Sequence, residues 1–373
     1  MDTPIQDIIL SHDGALVIST GSSRRAKIWK QKKVYWSALI KRLSRTKRTL
    51  ETQAQYLQMD KAKQDTIKDV GGFVGGALKG GRRTAANAGA RQLITLDADY
   101  ADASLWDLVE LLYSDFSMCC YSTHKHSPEK PRLRLIIPLD RSVTPDEYQA
   151  VARKIAENFG IDMFDDTTYQ PQRLMYWPST SADGEFYFRW QDGNWLSADA
   201  VLAEYDGDWQ DQSLWPVSSR QTAIIRQAMK KQEDPLTKDG IVGTFCRAYS
   251  ISEVIETYLS DIYEPCAGHT DRYTYTPGSS TGGAIVYEDK WLYSHHATDP
   301  SSMKLCNAFD LVRLHKYADL DEGHTTEDPT KLPSWKKMLK LCSADARVRE
   351  QQMKERMQSV QDDFGDLGED DED

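Results

Sequence analysis

Asp97 and Asp99 stand two residues apart at the end of the apolar run Ile94-Thr95-Leu96. On a strand, residues i and i+2 face the same way, so the two carboxylates project together. Like charges that close repel, and a divalent cation relieves the repulsion. Oxygen donors select Mg²⁺ or Mn²⁺ over a softer metal. A strand-end turn with two solvated aspartates is the other reading of this spacing. The same period places Ser122 with His124 in Tyr121-Ser122-Thr123-His124, with His126 continuing it, and Arg132 with Arg134 at the start of another apolar run. An arginine that alternates with leucine into a buried strand needs an anion. That anion is either a carboxylate, giving an inert pair, or a phosphate gripped in bidentate fashion. Asp165 or Asp166 adds a third carboxylate, and Arg173 a further cation. Acids beside a histidine and several arginines match the needs of phosphoryl transfer. There, cations clamp the attacking and leaving oxygens and basic side chains hold the phosphates.

The elements that must position these residues are legible from periodicity. Strands are expected at 92–96, 116–121, 133–139, 174–177 and 186–190, and an opening strand or hairpin at 7–20. Helices are expected at 103–113 and 145–159, the second started by Thr144 as N-cap with Pro145 and Glu147 in its first turn. Residues 34–66 read as one basic helix. Trp29, Tyr35 and Trp36 interleave with its cations, a pattern suited to stacking on single-stranded bases. The stretch Gly71–Arg83 reads as a glycine-rich loop able to approach phosphates, although it is not a P-loop. The layout is an α+β catalytic domain over 1–205, a linker over 206–240 and a small α/β accessory domain over 241–320. A charged helix over 321–361 and an acidic disordered tail over 362–373 complete it.

The net charge of −11 hides an asymmetry. Asp362–Asp373 carries eight acids and no base, whereas Arg24–Arg48 carries eleven Lys or Arg and no acid. Such a chain offers one surface to polyanions. No run of about 18 apolar residues and no secretory signal is visible, so a cytoplasmic location in a bacterial host is expected. The six cysteines form no CxxC pair and read as reduced, buried thiols. A zinc site assembled from Cys266, His269, His295, His296 and Cys306 is the weaker alternative.

The order hhhDxD, then SxH, then a third aspartate resembles the archaeo-eukaryotic primase superfamily. The segments YSTHKHSPEKPRLRLIIPLDR and FDDTTYQPQRLMYWPS look like the primase-polymerase module of phage and mobile-element replication proteins of the virulence-associated protein E type. The resemblance covers roughly 70–320, including 238–259 and 293–316. It implies an RNA-recognition-like catalytic core with a basic N-terminal unit, and a DNA primase-polymerase activity using Mg²⁺ or Mn²⁺. The implied partners are a single-stranded DNA template, nucleoside triphosphates and a replicative helicase, with no membrane. In that family the helicase follows this module, and these residues do not contain it. By the same resemblance Asp97, Asp99 and Asp165 are the metal-binding catalytic acids, with Asp166 the alternative third. Ser122 and His124 form the second motif, His124 reaching the incoming nucleotide's phosphates. Arg132, Arg134 and Arg173 are assigned to triphosphate or template on physical grounds. The accessory domain resembles a zinc ribbon that has lost its cysteine ligands. A metal-dependent nuclease and a non-catalytic replication module are the rival functions.

Overall fold

The computed structural model describes residues 8–322, 324, 326 and 328–365. It divides into two compact units, Met1–Thr222 with Gly278–Ser280, and Ala223–Pro277 with Thr281–Asp373.

The first unit carries strands β1 (Ala15–Gly21), β2 (Lys30–Tyr35), β3 (Lys47–Arg48), β4 (Gly72–Val74), β5 (Gly76–Leu78), β6 (Ala88–Ala98), β7 (Met118–Ser122), β8 (Leu133–Val143), β9 (Met175–Tyr176), β10 (Ser179–Thr180) and β11 (Phe188–Gln191). Its helices are α1 (Trp36–Leu43), α2 (Gln53–Gln58), α3 (Lys61–Ile67), α4 (Leu105–Leu112), α5 (Pro145–Phe159) and α6 (Ala198–Leu202). An antiparallel sheet in the order β11-β7-β8-β6-β5 forms the centre. Alternation along its strands splits the core. Ile94, Leu96, Cys120, Leu135 and Ile137 pack with α4 and α5. Leu93, Cys119, Tyr121 and Ile136 face the other way, against β1, α1 and Phe73. The helix α5 has the expected bounds, and its Thr144 hydroxyl and Glu147 carboxylate form a reciprocal capping box.

Several expectations are corrected. Residues 34–66 are not one helix. Thr52 caps α2 and Asp60 caps α3, so each restarts the chain as a new helix, and Lys47–Arg48 pairs in parallel with Ser179–Thr180. Trp29 and Trp36 are buried in the core, leaving Tyr35 as the exposed ring of the three. The glycine-rich stretch is not one loop: Gly72–Val74 and Gly76–Leu78 fold as β4 and β5, ahead of a turn at Lys79–Gly81. A Cβ on Gly72 would lie 2.3 Å from the Met175 carbonyl oxygen, and one on Gly76 2.6 Å from that of Ala90. Those glycines let two strands approach closely.

Arg91 braces this packing. Its guanidinium is almost fully buried and donates to the Leu93 carbonyl, to Pro171 O at 2.5 Å and to Thr95 Oγ1 at 2.9 Å, with the Tyr148 ring 3.8 Å away. It thereby ties the 170–173 segment to the central sheet.

In the second unit, Gly240–Ala248 and Ile251–Tyr258 lead into an antiparallel meander, Tyr263–Pro265, Arg272–Tyr275, Ala284–Tyr287, Trp291–Ser294 and Leu305–Cys306, closed by the helix Ala308–Tyr317. The segment expected as one charged helix over 321–361 is two, Pro333–Ala344 and Ala346–Gly365. Met338, Cys342 and Val348 from them enter this unit's core, so they belong to it. The stretch 206–240 is likewise no free connector, because Trp215 is buried in the first unit's core and the division falls inside the helix Ser219–Lys231. Of the acidic tail, residues 366–373 lie outside the described residues, and the preceding helix runs to Gly365.

His296 Nε2 accepts from the amides of Tyr275 and Gly283, and Cys306 is buried. Among the described residues no three metal-ligating side chains converge. Asp299 is fully buried, accepting from Ser301 and from Tyr263 Oη at 2.5 Å, with His315 Nε2 at 3.2 Å. Burial pushes its carboxyl up, but the hydrogen bond and charge of His315 with the two hydroxyls outweigh that and bring it down to about 2. A carboxyl held below its unfolded value stabilises the fold above about pH 4, and that contribution is lost as pH falls toward 2. Urea unfolding of this unit should therefore lose about 2 kcal/mol between pH 5 and pH 2 from this group, and Asp299→Asn should flatten that slope.

Candidate active site

The site forms where β6 and β8 end together. Asp97 and Arg134 are register partners on these strands, and Arg134 is also opposite Tyr121 on β7. Arg134 Nε and Nη2 face the two Asp97 carboxylate oxygens at 3.3 and 3.4 Å, both side chains more than nine-tenths buried. Two residues further on, Arg132 Nη1 donates to Asp99 Oδ1 at 2.8 Å in a more open setting. Both arginines thus face carboxylates, the first of the two anions weighed for them.

The third acid arrives for a backbone reason. Beyond Arg91 the outer edge of β6 lacks a strand partner, and buried peptide groups need partners. The turn at 165–168 supplies them. Asp97 N donates to Thr168 Oγ1 at 2.8 Å, Thr168 Oγ1 donates to the Thr95 carbonyl, and Asp165 N donates to the Asp97 carbonyl at 2.9 Å. Asp165 is thereby set beside Asp97, while its side chain accepts from Thr167 and meets Arg173 Nη2 at 3.3 Å. Asp166 points elsewhere, to Ser218 Oγ at 2.6 Å. Of the two candidates, Asp165 is the one beside the strand-end pair.

Asp97, Asp99, Ser122, His124, Arg132, Arg134 and Arg173 line one cleft of about 510 Å³. Burial, then the charges of Asp97 and Asp165, push the Asp99 carboxyl above its ordinary value, against the pull of Arg132 and Arg134. The three acids therefore feel one another, but they do not close into a cage: no group of three metal-ligating side chains converges among the described residues. What Asp97 and Asp99 offer is a pair of hard oxygen donors under like-charge stress, a set that fits Mg²⁺ or Mn²⁺.

Ser122 and His124 do not share a strand face, because β7 ends at Ser122. The Ser122 hydroxyl accepts from Tyr187 N at 2.9 Å. His124 sits beyond the strand with Nδ1 2.9 Å from Ser179 Oγ and Nε2 3.0 Å from Glu51 Oε1. His126 Nδ1 accepts from Arg132 N.

Sequence reasoning missed Glu51, Ser179, Lys125 and Lys68 around this cleft, and noted Arg24 and Arg83 only as part of a basic run and a glycine-rich stretch. Arg24 and Lys68 share Asp65 at 2.8 Å each. Arg83 and Lys125 have no carboxylate partner among the described residues. Burial pushes both below their ordinary values, and Arg83 Nε is buried without a hydrogen bond. The available signal was Arg83 closing the glycine-rich stretch and Lys125 following His124.

Residues 2–218, more than half of the chain, match the family model described as the VapE N-terminal domain. No curated protein matches the chain. Among solved structures, the AEP domain of the cyanophage S-2L primase-polymerase is similar at 14% identity, over 51% of this chain and 88% of that one, with a TM-score of 0.29. That likeness is too distant to fix fold or chemistry.

Two stability measurements test the site's electrostatics. Arg134→Ala should cost about 3 kcal/mol in urea unfolding, because it strands a buried carboxylate. Arg132→Ala, at a half-open pair, should cost about 1 kcal/mol or less. The raised Asp99 carboxyl means that the folded state binds a proton more readily than the unfolded chain, so stability falls as pH rises and Asp99 ionises. Asp99→Asn should therefore raise the melting temperature at pH 7 by roughly 1–3 °C.

Proposed function

Since the chain belongs to the VapE N-terminal domain family, we propose that it is a template-dependent primase-polymerase acting in phage or mobile-element DNA replication. It joins nucleotides on single-stranded DNA: a primer 3′-hydroxyl attacks the α-phosphate of an incoming nucleoside triphosphate, and pyrophosphate leaves. The observation that carries this reading is the composition of the cleft. Asp97 and Asp99 line it together with Arg83 and Lys125, two cations that have no carboxylate partner among the described residues. Both are partly buried, Arg83 donates only to the Arg24 carbonyl at 3.2 Å, and a triphosphate would supply the anion that neither has. A nuclease also needs the acids, but it has no use for cations placed for three phosphates.

The connectivity supports the RNA-recognition-like reading of the core. β6-α4-β7-β8-α5 is a βαββα run with spatial order β7-β8-β6, as in ferredoxin-like folds. In that fold a strand after the second helix flanks the first strand. Here the 165–168 turn and β5 cover that edge.

In this mechanism Asp97 and Asp99 would hold Mg²⁺ or Mn²⁺, with Asp165 adding negative charge. Such an ion supplies charge neutralisation at the reacting phosphate and at the attacking oxygen. Arg83, Lys125 and Arg173 bind the phosphates and offset charge as pyrophosphate departs. Arg134 keeps Asp97 aimed into the cleft. Beside it, a basic groove of about 530 Å³ that includes Lys41, Arg42, Arg45 and Lys47 shares the Trp177–Pro178 wall and offers a path for a strand's phosphates. Arg42 lies 3.6 Å over the Trp177 ring, with Phe73 stacked at 4.9 Å, so this wall presents cations rather than a free base-stacking face.

A labelled primer on a single-stranded template, incubated with Mg²⁺ or Mn²⁺ and either nucleotide pool, should lengthen. In Asp97→Ala/Asp99→Ala, extension should fall at least about a hundredfold. Mn²⁺ alone should raise the melting temperature of the wild type but not of the double variant. Shortening of the primer would identify a nuclease instead, and unchanged extension by the double variant would remove the assignment.

A further inference from the structure

His124 is clamped by groups from two segments far apart in sequence. Glu51 follows β3, and Ser179 and Ser181 belong to or follow β10, the strand that pairs with β3. The Glu51 carboxylate is itself fixed by Thr49 Oγ1 at 2.6 Å. It meets His124 Nε2 at 3.0 Å, Ser179 Oγ lies 2.9 Å from Nδ1, and the Tyr56 ring packs 4.3 Å from the imidazole. His124 and Ser179 both line the cleft.

A carboxylate only accepts hydrogen bonds, so Glu51 fixes the Nε2 position as N–H. The ring's charge is then decided at Nδ1. In the neutral imidazole Nδ1 accepts, and Ser179 must turn its hydroxyl hydrogen inward to it. In the imidazolium Nδ1 donates, Ser179 Oγ accepts, and the hydroxyl hydrogen is released toward the cleft. We propose that Glu51, His124 and Ser179 form a proton-linked relay in which Ser179 donates to a phosphate oxygen of the bound nucleotide and Glu51 is the positioning residue that holds His124. This rests on the nucleotide-binding reading of the cleft and deepens it by naming a contact residue and a proton.

The charged surroundings favour linkage to an anion. Burial is the largest influence and lowers the His124 pKa, Glu51 opposes it, and Lys68 adds to it. Lys68 is held by Asp65 at 2.8 Å, and the Tyr56 hydroxyl stays neutral because burial raises it far above its ordinary value. Lys125, next in the chain, is a further cation at the same wall. Burial thus favours the neutral ring in the free protein, and a phosphate arriving beside Ser179 draws a proton onto Nδ1. Binding takes up a proton, so affinity falls as pH rises.

The experiment is calorimetric titration of the full chain with inorganic tripolyphosphate, without divalent metal, in buffers of different ionisation enthalpy between pH 5.5 and 8. The expected result is net proton uptake, with Ser179→Ala binding about tenfold more weakly. Glu51→Gln, which keeps an acceptor but removes the charge, should move the fall-off of binding about one pH unit lower. Thermal unfolding of each variant confirms that it is folded. Should Glu51→Gln fail to fold, Ser179→Ala, nearly isosteric, still decides. Binding without proton uptake, or Ser179→Ala binding like wild type, overturns the relay. Metal-dependent primer extension reports on the polymerase reading separately, so it can stand while the relay falls.

Discussion

The buried pair between Asp97 and Arg134 sets the geometry of everything around it. The two residues face each other across β6 and β8, so the pair exists in one strand register only. A slip of one residue in either strand would turn that strand's member of the pair to the opposite face, into the apolar layer formed with α4 and α5. The same guanidinium donates to the Tyr176 carbonyl at 3.1 Å, and Tyr121 Oη donates to that carbonyl at 2.9 Å. The pair therefore fixes the path of the chain just before Trp177-Pro178-Ser179. One ion pair thus ties together the strand that carries the acids, the strand that carries the arginines and the segment that meets His124.

A second constraint, the hydrogen-bonding need of a strand edge, accounts for the third acid. Thr168 and Asp165 satisfy the Thr95 and Asp97 peptide groups that no strand reaches. The spacing from Asp165 to Thr168 is therefore an edge-covering device as much as a source of charge. Arg91, lodged under the same turn through the Pro171 carbonyl, resists its lifting away. Electrostatic crowding is tolerated here because the scaffold holds the carboxylates where repulsion alone would separate them.

The sequence made some of this legible and hid the rest for physical reasons. Strand alternation found the apolar parts of β6 and β8 but not their full lengths, and the Thr144 cap gave α5, whereas Asp99 lies past the end of β6 and Arg132 before the start of β8, so the two-residue period does not account for their placement. The period failed at His124 because the strand stops at Ser122, after which face alternation has no meaning. The long basic helix failed because the Thr52 and Asp60 caps, short local signals, override a helical pattern of apolar residues. Glu51 was invisible because its role depends on β3 pairing with β10 across more than a hundred residues. The arginines were correctly seen to need anions, and Asp97 and Asp99 stand opposite Arg134 and Arg132.

The pairing of Lys47–Arg48 with Ser179–Thr180, only two residues on each side, makes the cleft a composite. Arg48 Nη1 reinforces the seam through the carbonyls of Ser181, Ala182 and Gly184. One wall is thus written before the central sheet in the chain, and the opposite wall within it and after it. A fragment beginning at β6 would retain the acids and arginines yet lack Glu51 and Arg83, leaving an open half-bowl. During synthesis, accordingly, the pocket closes only once the ribosome has delivered the second half of the seam.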